Sequence, residues 1–446
     1  LGVKQGCRLS PTLFALYVND LAEEIKALNC GIEMGGDRLA LLLYADDIVL
    51  IAPSEQSLQL MLDTVHEWCT KWRLTINKDK TKIIHFRPAA IHCTQFNFRC
   101  GDVVLDLTDS YKYLGLWFNK HLDMKFAVNE LAKSASRALA ALYTKFLYVG
   151  GMDYDVFCKL YESLVEPVLL YGAGLWGLRE HKKLNTVQNK ACRYFLGLGK
   201  NAANIASRGD MGWSSCSVKQ KIEACRLYFK LERTSENRLV KKTFIWSGSN
   251  GKSWERRFQL FIANIGLQNI LNRDDLSVKN KINSVRVKLK SLDAENWKSE
   301  LWNDTSQENG NKLRTYRLYK ADLFTDTYVK LKMERNHRRI LAKFRSGSLP
   351  LQIETGRYAK PKVPLDDRKC KLCTENAIED EMHFLLSCDF YSDLRRPLFA
   401  KAQLCNSNFH RMSLLDKFIF IMNYVNMQYI LASTILQMFN RRKRFQ

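Results

Sequence analysis

The strongest constraint on the fold is the stretch at residues 39–52, which reads LALLLYADDIVLIA. Two short apolar runs flank a polar tetrapeptide, and this pattern predicts a buried β-hairpin. The turn of that hairpin carries two adjacent carboxylates, Asp46 and Asp47. An unpaired buried charge is costly, so a buried pair would need a cation, and hard oxygen ligands suit Mg²⁺. The alternative is a solvated Asp-Asp turn that joins two core strands.

Three further motifs surround the hairpin in a fixed order. A Gln-Gly pair at residues 5–6 lies in a loop before a predicted helix that begins at Ser10. Residues 74–82 read LTINKDKTK, and residues 113–115 read YLG. These four elements, in this order and spacing, resemble the palm of a reverse transcriptase of the non-LTR retrotransposon (LINE-type) class. The resemblance covers residues 1–118 through motifs and the remainder more weakly.

The resemblance implies nucleotidyl transfer by two Mg²⁺ ions, with Asp46 as the direct metal ligand and Asp47 assisting. It also implies substrate or template contacts for a set of motif residues, namely Gln5, Gly6, Tyr44, Lys80, Lys82, Tyr113, Leu114 and Gly115. For the two lysines the alternative is a solvated turn. For residues 113–115 the alternative is an ordinary core strand.

One departure from the family pattern concerns activity. The family's first catalytic Asp lies on a strand upstream of the Gln-Gly motif, and this chain begins after that point, at Leu1. We therefore expect the sequence to be the C-terminal part of a larger protein. Two carboxylates without the third should bind metal poorly, so the chain is predicted to be inactive alone.

The charge of the chain favours a polyanionic partner. Lys and Arg number 69 against 46 Asp and Glu, which gives a formal charge of +23 and predicts nucleic acid as the partner. Residues 312–345 concentrate this charge, with interleaved aromatic side chains at Tyr316, Tyr319, Phe324, Tyr328 and Phe344. Phosphate contacts and base stacking require such a mixture. A solvated helix face explains the run equally well.

A cysteine and histidine cluster near the C-terminus predicts a metal site. Cys370, Cys373, His383 and Cys388 have the spacing C-x2-C-x9-H-x4-C, which suits a closed, tetrahedral and structural Zn²⁺ site. Such a zinc knuckle resembles the segment that follows the polymerase region in many of these elements. The other cysteines are expected to be free thiols in a reducing compartment. The basic residues 441–444 are expected to form a frayed, solvated tail, and the alternatives are a nucleic-acid contact or a targeting signal.

The predicted fold class is α+β. Residues 1–119 are expected to form a partial palm with an antiparallel sheet and helices, and residues 120–200 a helical thumb-like domain. A basic helical connector over 201–365 would lead to the zinc knuckle and C-terminal helix over 366–446. No uninterrupted apolar run reaches the roughly 20 residues of a membrane span, so no membrane partner is expected.

The predicted function is RNA-directed DNA polymerase, with an RNA template, a DNA primer or target, deoxynucleoside triphosphates and Mg²⁺. The predicted location is intracellular, in the nucleus or cytoplasm, and not secreted. A rival interpretation is a non-catalytic nucleic-acid-binding remnant of a retroelement. A structural zinc protein without nucleic acid conflicts with the charge of +23.

Overall fold

The computed structural model describes residues 6–249, 251–303 and 312–445, so Gln5 lies outside the described residues. The chain forms two compact units. The first comprises Leu1–Glu130 and Cys225–Asn264, and the second comprises Leu131–Ala224 and Ile265–Gln446. The chain is mostly helical with small sheets, which agrees with the predicted α+β class.

The first unit contains all the strands found among the described residues. Its helices are Ser10–Tyr17, Asn19–Ala27, Glu55–Lys71, Leu239–Gly248 and Trp254–Asn264. Its strands are Ile32–Met34, Asp37–Leu39, Leu41–Tyr44, Asp47–Leu50, Lys82–Ile83, Arg99–Cys100, Val103–Val104, Asp106–Leu107, Ser110–Tyr113 and Leu116–Asn119. They pair as two-stranded sheets, four antiparallel and one parallel within the described residues, instead of the single antiparallel sheet that we predicted.

The helix Glu55–Lys71 organises the core of the first unit. Ser54 caps it, because the Ser54 hydroxyl accepts a hydrogen bond from the Ser57 backbone N–H at 3.2 Å. Met61, Val65 and Trp68 pack against the helix Asn19–Ala27 and the base of the Leu41–Leu50 hairpin. On another face, Leu62 packs against residues 83–105. The helix therefore packs against the base of the hairpin on one face and against residues 83–105 on another.

Among its described residues the second unit is mainly helical, with one isolated β-bridge between Lys369 and Ile378. Two helices, Met124–Tyr148 and Cys216–Glu232, cross the unit boundaries along the chain. The others are Tyr154–Leu160, the π-helical turn Tyr161–Val165, Glu166–Leu169, Ala173–Trp176, Lys182–Leu196, Asn204–Met211, Val278–Trp302, Tyr316–Tyr319, Thr327–Lys330, Arg335–Arg345, Gln352–Tyr358, Ser392–Cys405, Leu414–Asn423 and Gln428–Lys443. The segment at residues 197–212 lies wholly within this unit.

A buried ion network holds the second unit together. The guanidinium of Arg345 donates to Asp210 Oδ1 at 3.0 Å and lies 2.7 Å from Asp326 Oδ2. Lys320 pairs with the same Asp326 carboxylate at 2.7 Å. Tyr328 donates to Asp210 Oδ2 at 2.6 Å. Two carboxylates thus meet two cations, which is the condition under which buried charges are tolerated.

This network corrects the interpretation of residues 312–345. Several of its predicted phosphate or stacking groups are buried instead, namely Tyr316, Tyr319, Tyr328, Phe344, Lys320, Arg338 and Arg345. Of the five aromatic residues only Phe324 is exposed. Neither a stacking surface nor a solvated helix face describes the buried residues, because Arg345 and Lys320 are buried in ion pairs with Asp210 and Asp326.

Among the described residues no single helix is both long and apolar enough to span a membrane. One pair, Leu414–Asn423 with Val425–Lys443, meets the length and composition test only when joined, and it is bent by 87°.

Candidate functional site

The carboxylate pair lies at the tip of an antiparallel hairpin. Strands Leu41–Tyr44 and Asp47–Leu50 pair with Tyr44 opposite Asp47, and a two-residue turn joins them. Ala45 in that turn has φ of +52°, as tight hairpin turns require. The hairpin is confirmed, but its predicted burial is wrong at the tip, where Tyr44 is 63% exposed. Both carboxylates are exposed, so desolvation does not by itself demand a cation.

The YLG motif forms a second hairpin beside the first. Strands Ser110–Tyr113 and Leu116–Asn119 pair with Tyr113 opposite Leu116. Leu114 and Gly115 form the turn with φ of +46° and +85°, so the chain reverses there and the alternative of an ordinary core strand over 113–115 is wrong. Burial and the negative charge of Asp47 raise the pKa of Tyr113, which places the two motifs within electrostatic reach of each other.

The segment at residues 77–82 joins the same region. Asn77 closes a turn in which its side-chain oxygen accepts the Lys80 N–H at 3.1 Å. The Tyr111 hydroxyl donates to the Lys80 carbonyl at 3.0 Å, which ties this turn to the YLG hairpin. Lys82 forms an ion pair with Asp106 at 2.6 Å. Lys80 is exposed, and its ammonium has no carboxylate partner within the described residues. Of the two predicted lysines, Lys80 is therefore the more available for a contact with a substrate.

Gly6 precedes the first helix with φ of +80°, a conformation that glycine adopts without strain. A Cβ built at this position would meet no atom within 4 Å, so the backbone there is open to a ligand. The helix predicted from Ser10 does begin there, although it is interrupted at Val18, where a second helix follows.

The cysteine and histidine cluster assembles as predicted. Each of Cys370, Cys373, His383 and Cys388 offers a ligand atom, and all four atoms lie within 4.8 Å of one another. The Cys370 and Cys388 sulfurs are 3.9 Å apart, and Cys373 Sγ is 3.4 Å from His383 Nε2. Tetrahedral Zn²⁺ with bonds of about 2.3 Å to sulfur and about 2.0 Å to nitrogen requires separations of roughly 3.5–3.8 Å. The residues therefore fit a closed zinc site.

Hydrogen bonding within the cluster shifts the pKa values of two of its thiols in opposite directions. A hydrogen bond from Cys388 is the main cause that lowers the pKa of the Cys370 thiol to about 3. The pKa of Cys388 is raised by the same bond. His383 Nδ1 lies 3.5 Å from Glu375 Oε2, and such a carboxylate orients a histidine ligand and fixes its tautomer. Sequence spacing identified the four ligands but not Glu375, although it lies only two residues after Cys373.

The predicted frayed tail at residues 441–444 is wrong at its first two positions. Arg441 forms a two-pronged ion pair with Asp393 at 2.5 and 2.6 Å. Arg442 is buried and donates to both oxygens of Glu379, which lies between two of the metal-site residues in sequence. This pair ties the last helix to the segment that carries the cluster. Glu379 also accepts a hydrogen bond from the Gln352 N–H at 2.7 Å.

Comparison with known proteins identifies the first part of the chain. Residues 1–118 match the family described as reverse transcriptase (RNA-dependent DNA polymerase). The chain is 26% identical over 193 residues to the RNA-directed DNA polymerase from mobile element jockey of Drosophila funebris, an alignment that covers 42% of the chain and 20% of the relative.

Two relatives from Drosophila melanogaster extend this comparison. The probable RNA-directed DNA polymerase from transposon BS is 28% identical over 204 residues, covering 43% of the chain and 22% of the relative. The probable RNA-directed DNA polymerase from transposon X-element is 23% identical over 253 residues, covering 54% of the chain and 26% of the relative. The chain thus spans about a fifth to a quarter of the length of these curated relatives. The sequence-based identification is confirmed: the chain carries, in residues 1–118, reverse transcriptase sequence of the non-LTR retrotransposon type.

Proposed function

We propose that this chain forms part of an RNA-directed DNA polymerase that extends a DNA 3′ end on an RNA template, with deoxynucleoside triphosphates as substrates. The observation that supports this proposal best is the convergence of three motifs in the first unit. The hairpin tip with Asp46 and Asp47, the YLG turn and the Lys80 turn are linked by the Tyr113–Asp47 proximity and the Tyr111–Lys80 hydrogen bond.

The two carboxylates have different roles in this proposal. Asp46 occupies the second position of the turn and Asp47 begins the returning strand, so their side chains leave the backbone in different directions. Asp46 would hold Mg²⁺ directly and Asp47 would assist. When bound, two Mg²⁺ ions would activate the primer 3′-hydroxyl and stabilise the leaving pyrophosphate. Their exposed position leaves both carboxylates accessible to the cations and to the primer end.

The surrounding motifs would position the substrates. Tyr44, 63% exposed beside the carboxylates, would contact the nascent base pair. Leu114 and Gly115 would contact the primer end from the YLG turn. The backbone at Gly6, together with Gln5, would approach the template. The palm over 1–119, the thumb over 120–200, the connector over 201–365 and the zinc-binding segment over 366–446 are proposed as the domains of this enzyme.

The proposed polymerase is tested by primer extension on an RNA template, using the longest protein that contains this sequence. We expect incorporation that requires the template, deoxynucleoside triphosphates and Mg²⁺. Template-independent incorporation would contradict the proposal. Retained nucleic-acid binding without any incorporation would instead favour the alternative, a non-catalytic remnant.

The unpaired Lys80 predicts a difference between the two lysines in this assay. Replacing Lys80 with Ala should raise the KM for the deoxynucleoside triphosphate about tenfold, because a charge-assisted contact to the triphosphate is lost. Lys82→Ala is the matched control, since Lys82 is already paired with Asp106 and should leave KM unchanged. A larger effect at Lys82 than at Lys80 would reverse the assignment.

We also propose that Cys370, Cys373, His383 and Cys388 hold a structural Zn²⁺. The purified protein should contain about one zinc per chain, and Cys373→Ser should lose it and lower the melting temperature. Metal analysis with thermal denaturation measures both effects. Cys405→Ser, in the same unit but outside the cluster, is the control. Full zinc content in Cys373→Ser would contradict the proposal that these four residues hold the zinc.

A further inference from the structure

A cavity of about 570 Å³ in the second unit is lined mainly by positive charge. Its walls are the loop at residues 197–202, the exposed side of the helix Arg335–Arg345 and the end of the helix Gln352–Tyr358. We call it the basic cleft. Its charged lining consists of five cations and one carboxylate, namely Lys200, Lys312, Arg335, Arg339, Lys343 and Glu354.

Among the described residues, only one of these cations pairs with a carboxylate. Lys312 pairs with Glu354 at 2.5 Å, and this carboxylate also lies 3.6 Å from Arg357 Nε. The other four, Lys200, Arg335, Arg339 and Lys343, have no carboxylate partner among the described residues. Arg335 Nε is moreover buried without a hydrogen-bond acceptor. A buried donor without an acceptor is costly, and an acceptor oxygen on a bound ligand would relieve this cost.

Three of the four cations form a row. Arg335, Arg339 and Lys343 are spaced by four residues and therefore lie on one face of their helix. Like charges at this spacing destabilise a helix. Burial and the neighbouring charges of Arg339 and Lys443 lower the pKa of Lys343, which reflects the same uncompensated charge. The row therefore destabilises the helix, and no carboxylate of the described residues offsets this repulsion.

The opposite wall fits the row closely. Gly197 has φ of +67°, and a Cβ there would lie 2.9 Å from Arg339 Cγ, so glycine allows the loop to approach this side chain. Two tyrosines complete the lining. Tyr143 is stacked on Tyr194 with ring centroids 3.7 Å apart, and Tyr358 at the rim is 68% exposed. Cations that follow a backbone beside an exposed aromatic ring are typical of single-strand binding.

From these contacts we infer that the basic cleft binds the phosphodiester backbone of single-stranded nucleic acid, with a base stacked on Tyr358. The inference deepens the proposed function, because a template or a displaced strand of that reaction supplies such a ligand. Arg335, Arg339 and Lys343 would contact successive phosphates, and Lys200 would close the site from the loop. The two sources of this backbone, RNA and DNA, share the phosphate chemistry and are compared directly in the test.

The electrostatic part is tested by fluorescence anisotropy on the full chain with 20-residue oligouridylate and oligothymidylate, over a range of salt concentrations. The double variant Arg339→Gln/Lys343→Gln should bind about tenfold more weakly, and the slope of log K against log salt should fall in magnitude by about 1.4. The matched control is Lys288→Gln/Lys290→Gln, which removes the same charge from exposed positions on the helix Val278–Trp302. Equal losses in both double variants would overturn the inference.

The stacking part is tested separately. Tyr358→Ala should weaken binding of the single strand about tenfold while leaving the salt slope unchanged, because stacking releases no counterions. Unchanged affinity, or an equal loss for a duplex of the same length, would overturn single-strand binding at this cleft. Circular dichroism confirms that each variant is folded. These readouts do not depend on catalysis. If primer extension fails but the cleft variants selectively lose affinity for the single strand, only the polymerase proposal is refuted. If extension succeeds but the cleft variants bind with unchanged affinity, only the cleft inference is refuted.

Discussion

In the longest protein that contains this sequence, Asp46→Asn should reduce RNA-templated primer extension about a thousandfold, which corresponds to about 4 kcal/mol of transition-state free energy. Asn keeps the size of the side chain and one oxygen but removes the charge that holds a divalent cation. Because Asp46 is exposed at the hairpin turn, the substitution should leave the free energy of unfolding unchanged. Single-turnover extension, measured with saturating template and primer, isolates the chemical step.

The control for this prediction is Asp102→Asn, an exposed carboxylate of the same unit that lies outside the three motifs. It should extend primers like the unmodified protein. Asp47→Asn should give a smaller loss than Asp46→Asn, in keeping with an assisting role. Equal incorporation by Asp46→Asn and the unmodified protein would remove Asp46 from the mechanism.

Arg345→Ala should lower the free energy of unfolding of the second unit by about 3–5 kcal/mol, because it leaves buried carboxylates without their main cation. Arg345 is 1% exposed, and its guanidinium carbon lies 4.8 Å from the ring centre of Tyr319. Substitution therefore removes packing as well as charge. Chemical denaturation followed by circular dichroism measures the loss. Arg396→Ala, an exposed arginine of the same unit, should change the unfolding free energy by less than about 0.5 kcal/mol.

The pH dependence of this variant follows from the carboxylates. Burial raises the pKa of Asp326 to about 6, whereas Arg345 holds the pKa of Asp210 below its ordinary value against the opposing effect of burial. Without Arg345 both pKa values should rise. A folded-state pKa above the unfolded value stabilises the protein at low pH and loses that contribution as pH increases. Arg345→Ala should therefore be less destabilised at pH 5 than at pH 7, and an equal loss at both would contradict the network.

A second substitution separates the ion network from simple loss of packing. Adding Asp210→Asn to Arg345→Ala removes one of the stranded carboxylates, so the double variant should lose less than the sum of the two single variants. Additive losses would show that the charges of the two residues do not interact.

Local sequence patterns were sufficient for much of the first unit. The run of apolar residues around Tyr44 predicted the hairpin, and Ser10 was correctly predicted as the start of the first helix. The spacing of the four metal-site residues also predicted a real cluster, because the chain between them is short. By contrast, exposure of the hairpin tip depends on which segments cover it, and no periodicity reports that.

The second unit shows where sequence patterns fail. Arg345 appeared to be one of many surface cations, yet its partner Asp210 lies 135 residues earlier in the chain. The basic cleft combines positions from Tyr143 to Tyr358 that no spacing connects. In both cases the deciding interaction is long-range. The same composition of cations and aromatics therefore produced a buried network at one place and an open cleft at another.

The ion pair between Arg442 and Glu379 gives the last turn of the helix Gln428–Lys443 a structural role. Shortening the protein before Arg442 would strand an acidic side chain that is 1% exposed, next to the segment that carries the cysteines. A substitution that unwinds Gln428–Lys443 would therefore disturb the metal-binding segment as well, because Arg442 is the buried cation that pairs with Glu379 there.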